Sequence, residues 1–403
     1  MDLEFGEKYE RYRVQLRDFL ESWPPSDAEA QLPFEQQERL FRERAIERGY
    51  IYRDIPRAYG GSEQPNDPLE ERIILEEFAR ANVPFRSMSQ GPAMLVPTLL
   101  EFGTDAQREK YIAPTLSGEM RWCQGYSEPG AGSDLASLQC RAELEGDEFV
   151  ITGQKIWTSS AMDCQMMFGL FRTEPDASKH AGISYLLVPM HQPGVEVRPL
   201  KQMTGSDEFN EVFFDGARTH VSNLVGERGQ GWQVSRATLK HERKLIGNPR
   251  LMMMQFELLV DLARRTTRNG RPAIEDPAVQ LRIAEIEGYV RAAETTNLRM
   301  LSAELHGEPL KVMKPMMMIK LYTTKAMERI AEAAYDMAGG EGLVDIDDPE
   351  QGVWATRLGA QTAVQNYLFS KGPSIAGGAS NIQRNIIGER ALGLPRDLRP
   401  AQG

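Results

Sequence analysis

Cysteine and histidine are scarce in this chain: Cys123, Cys140 and Cys164 are the three thiols in 403 residues, and there are five histidines. Three thiols cannot build a disulfide framework and the histidines show no metal-ligand spacing, so no structural zinc is expected and a reducing compartment is. Apolar runs of membrane-spanning length are missing, and the acidic N-terminus lacks the charged-then-apolar plan of a signal peptide. A cytoplasmic protein with no membrane span and no metal is the expectation. Positive charge is also short. A net charge of −11, from 47 basic and 58 acidic residues, with no Lys/Arg-rich run, argues against nucleic acid or an anionic membrane as the main partner. Internal repeats and low-complexity tracts are absent too. What remains is a chain 41% hydrophobic and 26% charged, long enough to bury a large core in two or three packed units.

From Glu7 to about Gly118 apolar residues recur at helical spacing, as at Tyr12, Leu16, Phe19 and Leu20 and again at Leu40 and Ala45, with Pro/Gly clusters between segments. Residues 92–102 are too apolar for a surface helix and are expected to lie between other elements. The period then changes to two. Residues 149–152 follow the turn Glu145-Gly146-Asp147, and 183–188, 195–199 and 210–214 alternate or run β-branched. From Gly229 the helical period returns, with residues 252–254 and 316–318, all methionine, read as gap-filling core. It is interrupted at Asn269-Gly270-Arg271-Pro272, read as a break between two long helices, and at Gly339-Gly340-Glu341-Gly342, read as a turn. The organisation predicted is a helical domain over 1–121, a β domain over 122–228 and a second helical domain over 229–403.

Between the first helices and the strands lies Gln124-Gly125-Tyr126-Ser127-Glu128-Pro129-Gly130-Ala131-Gly132-Ser133-Asp134. Its glycines let backbone N–H groups approach a ligand that a side chain would hold away, Pro129 stiffens the turn, and Ser127 and Ser133 add small donors. That is chemistry for gripping an extended, phosphate-bearing molecule, although the spacing fits no Rossmann or Walker fingerprint. Trp157-Thr158-Ser159 closes a predicted strand. A tryptophan there is ordinarily core, but one followed by two hydroxyl residues also suits a flat heteroaromatic ring with polar edges.

The run over 127–134 resembles the signature of the acyl-CoA dehydrogenase superfamily, whose loop meets both FAD and acyl-CoA. The resemblance extends over nearly the whole chain, through Tyr59-Gly60-Gly61, Glu76-Glu77, Gly153-Gln154-Lys155-Ile156-Trp157-Thr158-Ser159, the stretch 226–232 and Ile382-Gln383-Arg384. It implies the acyl-CoA dehydrogenase-like fold, with an all-α N-terminal domain, a central β-barrel-like domain and a C-terminal four-helix bundle, and it implies FAD as cofactor. The cofactor contacts carried over are Gln124, Tyr126, Ser127, Gly132 and Ser133 in the signature, Trp157 packed against the flavin, and Thr158 or Ser159 on its N5/O4 edge. Gly339 and Gly340 fall near the adenosine half, and Ala379 and Asn381 match contacts to the adenine. Here Ala379 replaces the family's Thr, Asn381 its Gln, and Asp336 a Gln that often precedes the Gly-Gly turn. The arginine that reaches a neighbouring subunit's flavin lies among Arg264, Arg265 and Arg268. Because the chain is acidic overall, a polyanion such as CoA must be met by locally placed basic groups.

Dehydrogenation between Cα and Cβ of an acyl thioester needs a carboxylate to take the α-proton, donors to the thioester oxygen, and a hydride acceptor. Most relatives carry that glutamate directly before the glycine of a Glu-Gly-Thr run near the C-terminus. In Ala376-Gly377-Gly378-Ala379-Ser380-Asn381-Ile382-Gln383-Arg384 the position is Gly377, which has no side chain. A substitute stands in Leu239-Lys240-His241-Glu242-Arg243-Lys244-Leu245-Ile246, where Glu242 shares a helical face with Leu239, Leu245 and Ile246. The isovaleryl-CoA and long-chain branches carry their base in this helix, in a Glu-Arg-Leu context that Glu242-Arg243 resembles. The catalytic set implied is Glu242 as base, Arg243 beside it and the Gly377 N–H as a donor to the thioester oxygen.

The small residues Ala376, Gly377 and Gly378 stand where relatives often carry Tyr-Glu-Gly, which predicts room for a branched or bulky acyl group. Phe85-Arg86-Ser87-Met88-Ser89 loosely resembles the Tyr-Arg-Ser run with which glutaryl-CoA dehydrogenases hold an acyl carboxylate. Substrate contacts are accordingly expected at Ser133, Arg86, Ser89 and Gly378. Electron-transfer flavoprotein is the expected acceptor and a homotetramer or homodimer the expected assembly, a heterotetramer being the alternative. Gly377 keeps open a weakly catalytic partner subunit, and the fold keeps open an acyl-CoA oxidase.

Overall fold

The computed structural model describes residues 6–24, 26–81, 83–85, 89–246, 249–340 and 360–395. The chain divides into two units, one of Met1–Gln202 with Asp207–Glu242, the other of Met203–Ser206 with Arg243–Gly403.

The first unit opens with α1 (Gly6–Glu21), α2 (Asp27–Ala30), α3 (Phe34–Glu47), α4 (Pro68–Arg80), α5 (Val96–Phe102) and α6 (Asp105–Ser117). Local signals set their ends. Asp67 caps α4 by accepting from the N–H groups of Leu69 and Glu70, with Pro68 at the first helical position, where its missing N–H costs nothing. Thr104 and Gln107 form a capping box on α6. The apolar stretch at 92–102 buries Met94, Leu95, Val96, Thr98 and Leu99, entering as a π-turn over Gly91–Leu95 and continuing as α5.

The strands are β1 (Trp122–Gly125), β2 (Arg141–Glu145), β3 (Glu148–Ser159), β4 (Met166–Arg172), β5 (Ile183–Pro189), β6 (Val195–Leu200), β7 (Phe209–His220) and β8 (Leu224–Val225). They form one sheet in the order β6-β7-β3-β2-β4-β5-β8, with β1 lying parallel to β4. Strands β4 and β5 are apolar at nearly every position because both of their faces are covered. Phe168, Leu170, Tyr185 and Leu187 join Leu95, Leu99 and Tyr111 of the helices in one cluster. Met167, Phe171, Leu186 and Val188 point the other way, into a cluster with Phe149, Val212 and Phe214 of the sheet itself. Helix α6 is tied to the far end of the sheet by Gln107, whose amide donates to the carbonyls of Ser222 and Leu224 at 2.7 and 2.8 Å.

The helix α7 (Gly231–Ile246) leads into the second unit, made of α8 (Pro249–Arg265), a two-stranded ribbon of β9 (Thr267–Arg268) and β10 (Arg271–Pro272), then α9 (Pro277–Leu305), α10 (Pro309–Ala338), α11 (Ala360–Phe369) and α12 (Ser380–Ile386). The interruption at 269–272 is therefore more than a break between helices. Asn269 and Gly270 both have positive φ, 50° and 78°, the requirement of a type I′ hairpin turn, and β9 and β10 pair across it. Helices α8, α9 and α10 bury Met252, Leu259, Ile286, Val290 and Ile330 together. The methionine reading is corrected in part: Met252 is fully buried, but Met316 and Met318 are 37% and 48% exposed, because α10 turns Ile319 and Lys320 inward instead. Residue Glu341 and the rest of its Gly-rich turn beyond Gly340 lie outside the described residues.

Candidate active site

Strand β1 delivers Gln124 and runs into the signature loop. Within the loop Glu128 and Ala131 exchange both backbone hydrogen bonds at 3.0 Å, and the Ser127 carbonyl accepts the Ile156 N–H of β3 at 2.9 Å. Its glycines serve different ends. A Cβ on Gly125 would stand 2.1 Å from Met167 Sδ, so that glycine is required by packing, whereas a Cβ on Gly130 or Gly132 would meet nothing within 4 Å. The outer face of the loop, with Gly132 and Ser133, is open. Asp134 ends it in an exposed ion pair with Lys179; hydrogen bonds from Lys179 and Ser137 hold its carboxyl below the ordinary value.

Beneath the loop is a buried pair to which the motifs assign no role. Glu128 and Lys155 are buried and paired at 2.7 Å. The Lys155 ammonium also donates to the carbonyls of Leu170 at 2.6 Å and Tyr126 at 3.4 Å, and the Glu128 carboxylate accepts the N–H groups of Gln139 at 2.6 Å and Cys140 at 2.9 Å. The signal was available in the sequence: Phe149, Ile151 and Lys155 fall on one face of a strand, and a lysine on an inward face requires a partner.

At the end of β3 the pairing with β7 shifts register between Lys155 and Thr158, and Trp157 takes φ 61° within that irregularity. A bulge of this kind re-aims side chains. Trp157 is 58% exposed, with an edge-on contact to Phe209, so the core reading of this residue fails. Thr158 turns the other way and is fully buried, yet its Oγ1 has no hydrogen-bond partner. Ser159 is half-buried beside it. An exposed indole in a strained backbone and a buried orphan hydroxyl next to it are what a ligand-binding edge requires.

Glu242 lies one helical turn after the buried Thr238 and is half-buried, while Arg236 and Lys240 occupy the exposed face of α7. Gln124 Nε2 donates to Glu242 Oε2 at 3.4 Å, which brings the candidate base to β1, three residues ahead of the signature run. Tyr126 packs edge-on against Phe168 and Tyr185, and burial, reinforced by the neighbouring Tyr185 and by the Glu242 charge, pushes its hydroxyl well above the ordinary value. It stays protonated. The Thr98 and Thr238 hydroxyls meet at 2.9 Å nearby, a buried contact between α5 and α7 that no sequence pattern announced. Ser89, exposed, lies two residues before the mostly buried 91–102 segment, while Arg86 and the side chain of Arg243 lie outside the described residues.

In the second unit Gly377 and Gly378 take φ 60° and 97°, and their carbonyls are held by Gln383 Nε2 at 3.1 Å and the buried Lys320 Nζ at 2.8 Å respectively. Ala379 occupies the cap of α12 without a side-chain cap bond, as a methyl must, and Asn381 accepts from Arg384. Gly339 and Gly340 end α10, both exposed, and Arg264, Arg265 and Arg268 are exposed around the β9–β10 ribbon.

A helical N-terminal part, a sheet-rich middle and a helical C-terminal part, with the signature loop on the first strand of the sheet, define an acyl-CoA dehydrogenase. The chain belongs to that family of flavoprotein oxidoreductases: its N-terminal domain model matches residues 6–119, its middle domain model 123–217 and its C-terminal domain model 229–392. The chain is 40% identical over 366 residues to the acyl-CoA dehydrogenase IpdE1 of Mycobacterium tuberculosis, covering 90% of each chain. Among solved structures it resembles the Tcur3481-Tcur3483 steroid ACAD, with a TM-score of 0.78 and 29% identity over 98% of this chain and 100% of that one. It also resembles the ChsE4-ChsE5 complex from Mycobacterium tuberculosis, with a TM-score of 0.77 and 26% identity over 98% and 100%.

Proposed function

We propose that this acyl-CoA dehydrogenase oxidises a branched or bulky acyl-CoA to its trans-2-enoyl-CoA, with FAD as cofactor and Glu242 as the α-proton base. The observation that carries the reading is Glu242 on the inward side of α7, in reach of Gln124 on the signature strand. FAD when bound supplies the hydride acceptor. The residues fit it: the open face over Gly130 and Gly132, the exposed Trp157 and the unpartnered Thr158 hydroxyl offer backbone donors, a flat apolar surface and one polar contact. In this reading Gln124, Tyr126, Ser127, Gly132 and Ser133 hold the cofactor with Trp157, Thr158 and Ser159, while Gly339, Gly340, Ala379 and Asn381 meet its adenosine end. Glu242 removes the α-proton, Arg243 supports it electrostatically, and the Gly377 N–H donates to the thioester oxygen as negative charge develops there. Ser133, Ser89, Arg86 and Gly378 line the substrate. We divide the chain at 121/122 and 228/229.

The bulky substrate is supported by the small residues 376–378 and by likeness to a structure described as a steroid ACAD. We assign electron-transfer flavoprotein as acceptor and the cytoplasm as compartment; among the described residues no helix is long and apolar enough to cross a membrane. Gly377 favours a second reading, a catalytically weak partner subunit of a heterotetramer, and two similar structures are named for pairs of proteins.

The test is Glu242→Gln. The variant should keep FAD, yet flavin reduction by acyl-CoA without oxygen should slow by roughly 100-fold to 10,000-fold or more, because an amide cannot accept the proton. Reduction at the wild-type rate would remove Glu242 as base, and a wild-type protein whose bound flavin acyl-CoA scarcely reduces would favour the partner-subunit reading. Turnover with oxygen alone would point to an oxidase.

A further inference from the structure

The Glu128–Lys155 pair does more than its burial explains. An ion pair taken out of water rarely outperforms apolar side chains of similar volume, so stability is a weak reason for placing one between a sheet and a loop. Its connections are specific. Lys155 joins three segments through Glu128 Oε1, the Tyr126 carbonyl and the Leu170 carbonyl. The same carboxylate accepts from Gln139 and Cys140, directly before β2, so the middle of the signature loop is tied to the segment that follows the loop. One residue further along β3, the Ile156 N–H is bonded to the Ser127 carbonyl, and directly after it come the strained Trp157 and the buried Thr158. Lys155 also lies 5.1 Å from the centre of the Phe171 ring, a further restraint on where its ammonium can sit.

We propose that Glu128 and Lys155 are positioning residues that latch the signature loop to the end of β3, holding the loop's open face and the Thr158 hydroxyl in one fixed arrangement for FAD. This rests on the cofactor reading above. The pair touches neither cofactor nor substrate; it acts through the two segments that do. A neutral pair of similar size, Glu128→Gln with Lys155→Met, removes the buried charges together and leaves packing nearly intact. Glu128→Asp keeps the charge balance but shortens the reach to Gln139 and Cys140.

The experiment compares melting temperature of the apoprotein with the dissociation constant of FAD, read by flavin fluorescence, for wild type, the double variant and Glu128→Asp. A latch predicts apoproteins that melt near wild type but bind FAD roughly tenfold or more weakly. Wild-type affinity in either variant overturns the proposal. So does affinity that falls only in proportion to melting temperature, or a double variant that cannot fold while Glu128→Asp binds FAD normally, since each makes the pair merely structural. A wild-type protein that takes up no FAD would instead remove the function proposed above.

Discussion

At the scale of single residues, Thr158 shows how a buried group can carry information about a ligand. A hydroxyl buried without a partner costs about 1–3 kcal/mol, so its retention in the core of a strand end asks for a reason. If that reason is FAD, Thr158→Val should leave the apoprotein as stable as wild type or slightly more so, while weakening FAD binding by about fivefold to thirtyfold. The apoprotein's melting curve and a flavin titration decide it; a clearly destabilised apoprotein would mean that the hydroxyl already has a use within the fold. Thr158 could be named from the sequence because its motif is specific. Its orphan state could not, since that depends on how the strands pair. Lys155 is the opposite case: its inward position was legible from the period of two, but the three acceptors it reaches come from Glu128, Tyr126 and Leu170, and only folding brings those together.

At the scale of elements, the packing of α1 on α4 supplies a pH-dependent test. Glu77 on α4 is 2% exposed, and burial alone would raise its pKa. Hydrogen bonds from Arg17, Arg13 and Arg80 outweigh that and hold the carboxyl at about 2, against an ordinary 4.5. A carboxyl whose folded pKa lies below its unfolded one stabilises the fold above the unfolded value and loses that contribution as pH falls through the folded one. The stability gap between wild type and Glu77→Gln should therefore be full at pH 7, begin to shrink near 4.5 and be largely gone near 2. A gap that does not change between pH 7 and pH 3 would show that the arginines work through shape alone. The helix periods and caps were readable in the sequence because they are local, as with Asp67 and Thr104. The β9–β10 ribbon was not, although Asn269-Gly270 is a strong hairpin signal, because each strand is only two residues long and long helical patterns surround it. The bulge at Trp157 was equally out of reach, for it arises from the pairing of β3 with β7 and leaves no mark on either strand alone.

At the scale of the whole molecule, the order helices, strands, helices followed from two changes of hydrophobic period, and the family from one loop; the proposed acyl group rests on what is missing. Gly377 has no side chain at the position where the family resemblance implies a carboxylate, and with Ala376 and Gly378 it leaves three small residues in a row. Positive φ at both glycines and the clash of a Gly378 Cβ with Gln383, at 2.5 Å, make this a segment that resists larger side chains. A pocket built beside it should favour acyl groups that fill the space, since each buried methylene contributes about 0.8 kcal/mol and an unfilled pocket forgoes it. Turnover compared across straight, branched, cyclic and ω-carboxylated acyl-CoAs should then rank the branched and cyclic thioesters above short straight ones by roughly tenfold or more in kcat/KM. Arg86→Ala in the same panel should lower kcat/KM for the ω-carboxylated thioester alone if that arginine meets an acyl carboxylate, and should leave all substrates equal if it does not. A clear preference for short straight chains would sink the wide pocket, and with it the meaning given to the three small residues.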